Sequence, residues 1–116
     1  MVEQRIPSVT VEDVKRIVFR DFGESKSADA LSILKDYNGQ DGPRPRVCLA
    51  ILKLANGDLD RLREVTKAAL ADYRDVLAWA EYPRWIKEVG FNDRAGFKQA
   101  VIDDDWKQYC QWLNRI

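Results

Sequence analysis

Three clusters of side chains in this sequence have types and spacings that bear on chemistry. The first is Asp103-Asp104-Asp105. Carboxylate oxygens are the ligands that Mg²⁺ and Ca²⁺ prefer. On one helix, however, neighbouring side chains point about 100° apart, so three in a row cannot all face one ion. A second ligand cluster is missing. The triplet is therefore only a weak metal candidate, set against two plainer roles. It suits the acidic first turn of a shorter final helix, where negative charge complements the dipole, and it suits a solvated face. Asp105 stands apart from its neighbours. In a continuous helix from Phe97 it projects near the middle of the apolar side. That position demands either a helix break or a buried carboxylate with partners.

The second cluster is the run from Asp72 to Trp85, dense in aromatics and in both charges. Tyr, Trp and Arg are the residues that anchor protein interfaces. Trp79, Tyr82, Arg84 and Trp85 are the interface candidates. Trp79 falls just off the apolar arc of its helix and Tyr82 lies further round. The competing role is structural, with these rings packed under the short helix of Trp85 and the terminal helix of Trp106 and Trp112. Aromatics at helical spacing are more often core than site. An aromatic–guanidinium cluster also stacks nucleotide bases, but no glycine-rich phosphate loop accompanies this one.

The third cluster is Arg44-Pro45-Arg46, with Arg84 as a distant partner. Two arginines at a helix N-terminus suit an anion or a phosphate. Arg44 and Arg46 are the anion-binding candidates. Their ordinary role would be solvation or pairing with surface Asp and Glu.

The negatives narrow the chemistry further. The chain has no histidine, which removes the commonest general base and the commonest transition-metal ligand. Ser-His and Cys-His nucleophile pairs and the familiar zinc sites go with it. Catalysis by carboxylates, Lys, Tyr or a hard metal is what remains. Cys48 and Cys110 are too few for a disulfide framework, and Cys48 reads as a small core residue. Gly57-Asp58-Leu59-Asp60 lacks the loop length and glutamate of a calcium hand. Nineteen basic residues balance nineteen acidic ones, so the basic excess of a general nucleic-acid binder is absent. A local basic patch would need an acidic one elsewhere to offset it.

The elements that must position these residues are all helical by pattern. At 116 residues, with 46% hydrophobic, the chain suits one domain with a real core. Residues 1–9 form an irregular arm. Thr10 caps a first helix with Val11, Val14, Ile17, Val18 and Phe22 inward, and Gly23 stops it. Ser27 caps a second helix carrying Ala30, Leu31, Ile33, Leu34 and Tyr37, closed by Asn38-Gly39. After a loop from Gln40, Pro45 sits in the first turn of a third helix. Val47 to Ala55 holds one charge, Lys53, so that helix is buried on most sides. Asn56-Gly57 ends it and Asp58 caps the next.

A fourth helix is expected from Leu59 to about Tyr82, free of Pro and Gly. Leu59, Leu62, Val65, Thr66, Ala69, Leu70, Tyr73, Val76, Leu77 and Ala80 share one arc. It would run roughly 36 Å, and Pro83 marks its end. A short helix spans Pro83 to Val89, with Trp85 and Ile86 inward, closed by Gly90. The last runs from about Phe97, with Val101, Ile102, Trp106, Tyr109, Trp112, Leu113 and Ile116 on one face. Gly96 blurs its start. The fold class expected is all-α: one irregular bundle of five or six helices over residues 1–116, with the long helix at about 59–82 central.

Two stretches carry a family resemblance. Leu49-Ala50-Ile51-Leu52-Lys53-Leu54-Ala55-Asn56-Gly57-Asp58-Leu59-Asp60-Arg61-Leu62-Arg63 is one. Asp72-Tyr73-Arg74-Asp75-Val76-Leu77-Ala78-Trp79-Ala80-Glu81-Tyr82-Pro83 is the other. Together they resemble a family of small uncharacterised bacterial all-helical proteins with no known activity. The resemblance implies a bacterial source and assigns no functional residue.

The expected function is that of a non-enzymatic, cytoplasmic protein–protein interaction or regulatory module. Its partner would be another protein or a second copy in a homodimer. No cofactor is expected, no membrane span is present in the pattern, and the N-terminus lacks a signal peptide's order of charge and apolar run. The alternative is a small-ligand or anion-binding protein, in extension an enzyme, using Arg44, Arg46 or Arg84 with Asp carboxylates and Tyr73. A nucleic-acid accessory role is the least expected.

Overall fold

The computed structural model describes residues 8–35, 37, 44–88 and 99–115. Among them lie six helices and no strand: α1 (Val11–Lys35), α2 (Arg44–Ala55), α3 (Leu59–Ala71), α4 (Tyr73–Glu81), α5 (Pro83–Glu88) and α6 (Gln99–Asn114). The all-α irregular bundle is therefore the observed architecture. No described helix is long and apolar enough to cross a membrane.

Helix α1 opens as its sequence suggests. Glu12 and Asp13 sit in the first turn, and the Asp13 carboxylate accepts the Thr10 backbone N–H at 3.0 Å. Gly23 then leaves helical geometry, at φ 72° and ψ 175°, a region closed to residues with a Cβ. A straight 25-residue helix would hold its ends about 36 Å apart. Here Val11, Val14 and Lys15 line the same cavity as Leu31, Leu34 and Lys35. The two halves therefore fold back toward each other at Gly23. Ser27 does not cap the second half. It lies within it, and its hydroxyl donates to the Glu24 carbonyl at 3.2 Å. The expected stop at Asn38-Gly39, and the loop from Gln40 to Pro43, lie outside the described residues.

Helix α2 is the centre of the bundle. Val47 to Leu52 are all buried, and α1, α3 and α4 all pack against it. It ends in a tight reversal with both Asn56 and Gly57 at positive φ. A Cβ on Gly57 would lie 3.0 Å from the Asp21 carbonyl oxygen. The turn thus presses on α1 just before its bend. The Asp58 carboxylate caps α3, accepting the N–H groups of Asp60 and Arg61 at 2.9 and 3.1 Å.

The long helix expected over 59–82 is divided. Asp72 is extended, at φ −159° and ψ 101°. Its N–H donates to the Ala68 carbonyl and closes α3. Its carboxylate accepts the Arg74 N–H at 3.0 Å and opens α4. Asp competes with a continuing helix because its short side chain satisfies exactly such orphan N–H groups. The arc is otherwise as expected, with one exception: Leu70 is exposed. It stands about 80° round from Leu62, at the edge of the arc in the last turn of α3.

Tyr82 caps α4, its N–H donating to Ala78, and Pro83 begins α5. Trp85 and Ile86 are half-buried. The closure at Gly90 and the start of the last helix near Phe97 lie outside the described residues. Helix α6 runs unbroken through the acidic triplet. Val101, Ile102, Tyr109 and Trp112 are buried, while Trp106 and Leu113 are partly so.

The two positive-φ glycines make a matched test. At Gly23 nothing lies within 4 Å of an added Cβ, so Gly23→Ala should lose about 1–3 kcal/mol, from backbone conformation alone. Gly57→Ala, likewise at positive φ, also meets the Asp21 carbonyl, and should lose more. Urea denaturation of both variants checks this. Equal losses would mean that the α2–α3 turn has room to move away from α1.

Candidate functional site

The interface candidates do not form one patch. Trp79 projects from α4 with 47% of its surface exposed. It borders a cleft of about 220 Å³ shared with Leu54, Arg61, Glu64, Val65 and Ala68. Arg61 and Glu64 form an exposed ion pair across one helical turn, at 3.9 Å. Tyr82, by contrast, is buried, with 7% exposed. It is the residue at which the chain turns from α4 into α5, so its ring is enclosed. Arg84 is exposed, and its guanidinium donates to the Asp104 carboxylate at 3.0 Å. Trp85 is half-buried on the same short helix.

The acidic triplet divides three ways. Asp103 is exposed, Asp104 pairs with Arg84, and Asp105 turns inward. This is the divergence that helical geometry requires. Among the described residues no three His, Cys, Asp or Glu groups converge on a possible metal position. The Asp105 carboxylate instead accepts the backbone N–H groups of Trp85 at 2.9 Å and Arg84 at 3.2 Å. These are orphan donors in the first turn of α5. Asp105 is therefore the buried, partnered carboxylate of the two alternatives, and the helix does not break. Burial raises its pKa, and the two N–H bonds oppose that rise.

Arg46 is committed to Glu81. Its Nε and one terminal nitrogen grip the two carboxylate oxygens at 2.8 and 2.7 Å, a bidentate pair. Glu81 is 3% exposed. The hydrogen bond to Glu81 raises the pKa of Arg46 against the opposing effect of burial. The pair ties the first turn of α2 to the end of α4. Near it lies Tyr109 of α6, whose buried hydroxyl finds no hydrogen-bond partner among the described residues. Burial, with the Glu81 charge adding to it, pushes the Tyr109 pKa up. The Arg46 guanidinium is thus engaged by Glu81, and the side chain is only 19% exposed. The side chain of Arg44 lies outside the described residues. Tyr73 is half-buried against the core.

Two features escaped the sequence patterns. Arg20 lies over the Trp112 ring, 5.2 Å from its centroid. It donates to the Trp112 carbonyl and to the Arg115 carbonyl, closing the C-terminus of α6 from α1. A cavity of about 440 Å³ opens between the two halves of α1 and the start of α2. Both depend on residues far apart in sequence, and periodicity carries no signal for either.

Arg46→Met alone strands a buried carboxylate, and should lower stability by about 3–5 kcal/mol. Arg46→Met with Glu81→Leu removes both charges and should recover most of that loss. Denaturant unfolding of the three chains measures it; a double variant no better than the single would mean that the pair is not an isolated unit. Asp105 carries a pH prediction. An acid whose pKa rises on folding contributes stability that is complete below its unfolded pKa and is lost as pH rises through the folded value. Carbon-detected NMR titration should place the Asp105 midpoint above the ordinary 3.8. A midpoint at or below it would mean that the two N–H bonds outweigh burial.

Comparison with protein-family models, with curated proteins and with solved structures finds no match for this chain.

Proposed function

We propose that this chain is a non-enzymatic protein–protein interaction module of the bacterial cytosol, with Trp79 at the centre of its contact surface. The exposure of Trp79 carries the reading. Burying a large ring is strongly favourable, and this one is left half in water beside a cleft. An aromatic anchor bordered by an apolar cleft and rimmed by charges has the anatomy of an interface hot spot. Ala68 and Val65 supply the apolar floor, while Arg61 and Glu64 supply the rim.

The fate of the other candidate groups supports the same reading. Arg46, Glu81, Arg84, Asp104 and Asp105 are all engaged with one another or with helix ends. They serve the fold. The bacterial setting rests on the resemblance carried by residues 49–63 and 72–83.

Trp79→Glu should leave helicity and melting temperature near those of the parent, because the ring is half exposed. Bound to a support and exposed to a lysate of the source cell, the parent chain should retain a stoichiometric protein that Trp79→Glu does not. Sedimentation equilibrium tests self-association in the same pair. If both chains are monomeric and both retain nothing, the reading fails. If Trp79→Glu unfolds the protein, Trp79 belongs to the core.

A further inference from the structure

We infer that the cavity between the two halves of α1 and the start of α2 binds an amphipathic carboxylate, with an alkyl body and one anionic head. The site is separate from the Trp79 cleft and does not rest on it. Val14, Leu34 and Cys48 are buried at its base, and Val11 and Leu31 wall it. These surfaces are aliphatic or sulfur, with no hydroxyl, amide or carboxylate among them. Val11 is 54% exposed, so the apolar lining extends to the mouth. The volume, about 440 Å³, lies within the usual range for small-molecule sites.

The polar groups of the lining are two lysines, Lys15 from the first half of α1 and Lys35 from the second. Both are exposed. Neither forms an ion pair with a carboxylate of the described residues. Among the described lining residues these two ammonium groups are the only charges, and no carboxylate lines the groove beside them. Lysine stems lie along apolar surface while their heads stay in water. An alkyl carboxylate matches this arrangement end for end: its chain replaces water against the aliphatic walls, and its head meets the ammonium groups at the rim.

The test uses the full chain and a graded set of probes: octanoate, decanoate and laurate, with decanol and decyltrimethylammonium as head-group controls, all below their micelle concentrations. Isothermal calorimetry should show saturable binding of the carboxylates that tightens with chain length. Decanol should bind more weakly and the cationic probe not at all. Lys15→Met with Lys35→Met should weaken decanoate by about tenfold and leave decanol unchanged. Val11→Glu, at an exposed position, should weaken decanoate by like-charge repulsion without disturbing the fold. Amide NMR shifts should map to residues 11–15, 31–35 and 46–48. The inference is overturned if no carboxylate saturates, if decanol and decanoate bind equally, if the double lysine variant binds decanoate as the parent does, or if the shifts map elsewhere.

Discussion

The bundle depends on one constraint, the burial of α2 on every side. Between Val47 and Ala55 the helix carries a single charge, and Val47 to Leu52 are buried without a break in the run. A helix apolar around its whole circumference cannot be covered by one neighbour. It needs several, approaching from different directions. The chain supplies them by bending twice. At Gly23 α1 turns back on itself, and at Asp72 a long apolar arc is cut into α3 and α4. A straight 24-residue helix would run roughly 36 Å and overshoot the 12 residues of α2. Two shorter helices both lie against it. The Gly57 turn, pressed on the Asp21 carbonyl, holds this wrapping together at one end.

Helix ends are where such a bundle is vulnerable. Each leaves backbone donors or acceptors without intrahelical partners, and burying them uncompensated is costly. Side chains from distant helices provide the partners here. Asp105 of α6 accepts the first N–H groups of α5. Arg20 of α1 donates to the last carbonyls of α6. Arg46 and Glu81 join the start of α2 to the end of α4. Buried ion pairs of this kind add little net stability, because desolvation offsets most of their attraction, but losing one partner is expensive. They therefore act as joints that set which ends meet.

This use of charge changes how the surface is read. Some of the charge that looks available in sequence, at Arg20, Arg46, Glu81 and Asp105, is spent inside the bundle. Among the groups left at the surface are a half-exposed Trp79 beside its cleft and two lysines at an aliphatic groove. One suits a protein contact, the other an amphipathic anion. The first lies at the end of α2 with α3 and α4, the second at the start of α2 with the two halves of α1.

The all-helical class, the boundaries at Gly23, Asn56-Gly57 and Pro83, the cap at Asp58, and the central burial of α2 were legible in sequence. Each follows from a local property: a missing Cβ, a missing N–H, a short carboxylate, or an apolar run. Asp105 was half legible, since its place on an apolar face implied a partner without naming it. The break at Asp72 was not legible. The apolar arc continues through it; the Asp72 carboxylate offers a local cap, and laying both halves on α2 is what brings it into use. Nor could sequence tell Trp79 from Tyr82, three residues apart on one helix, or show that Arg46 is engaged and Lys15 and Lys35 are not. Exposure and pairing are settled between helices. Local spacing determines which residues share a face, and only tertiary packing decides what that face meets.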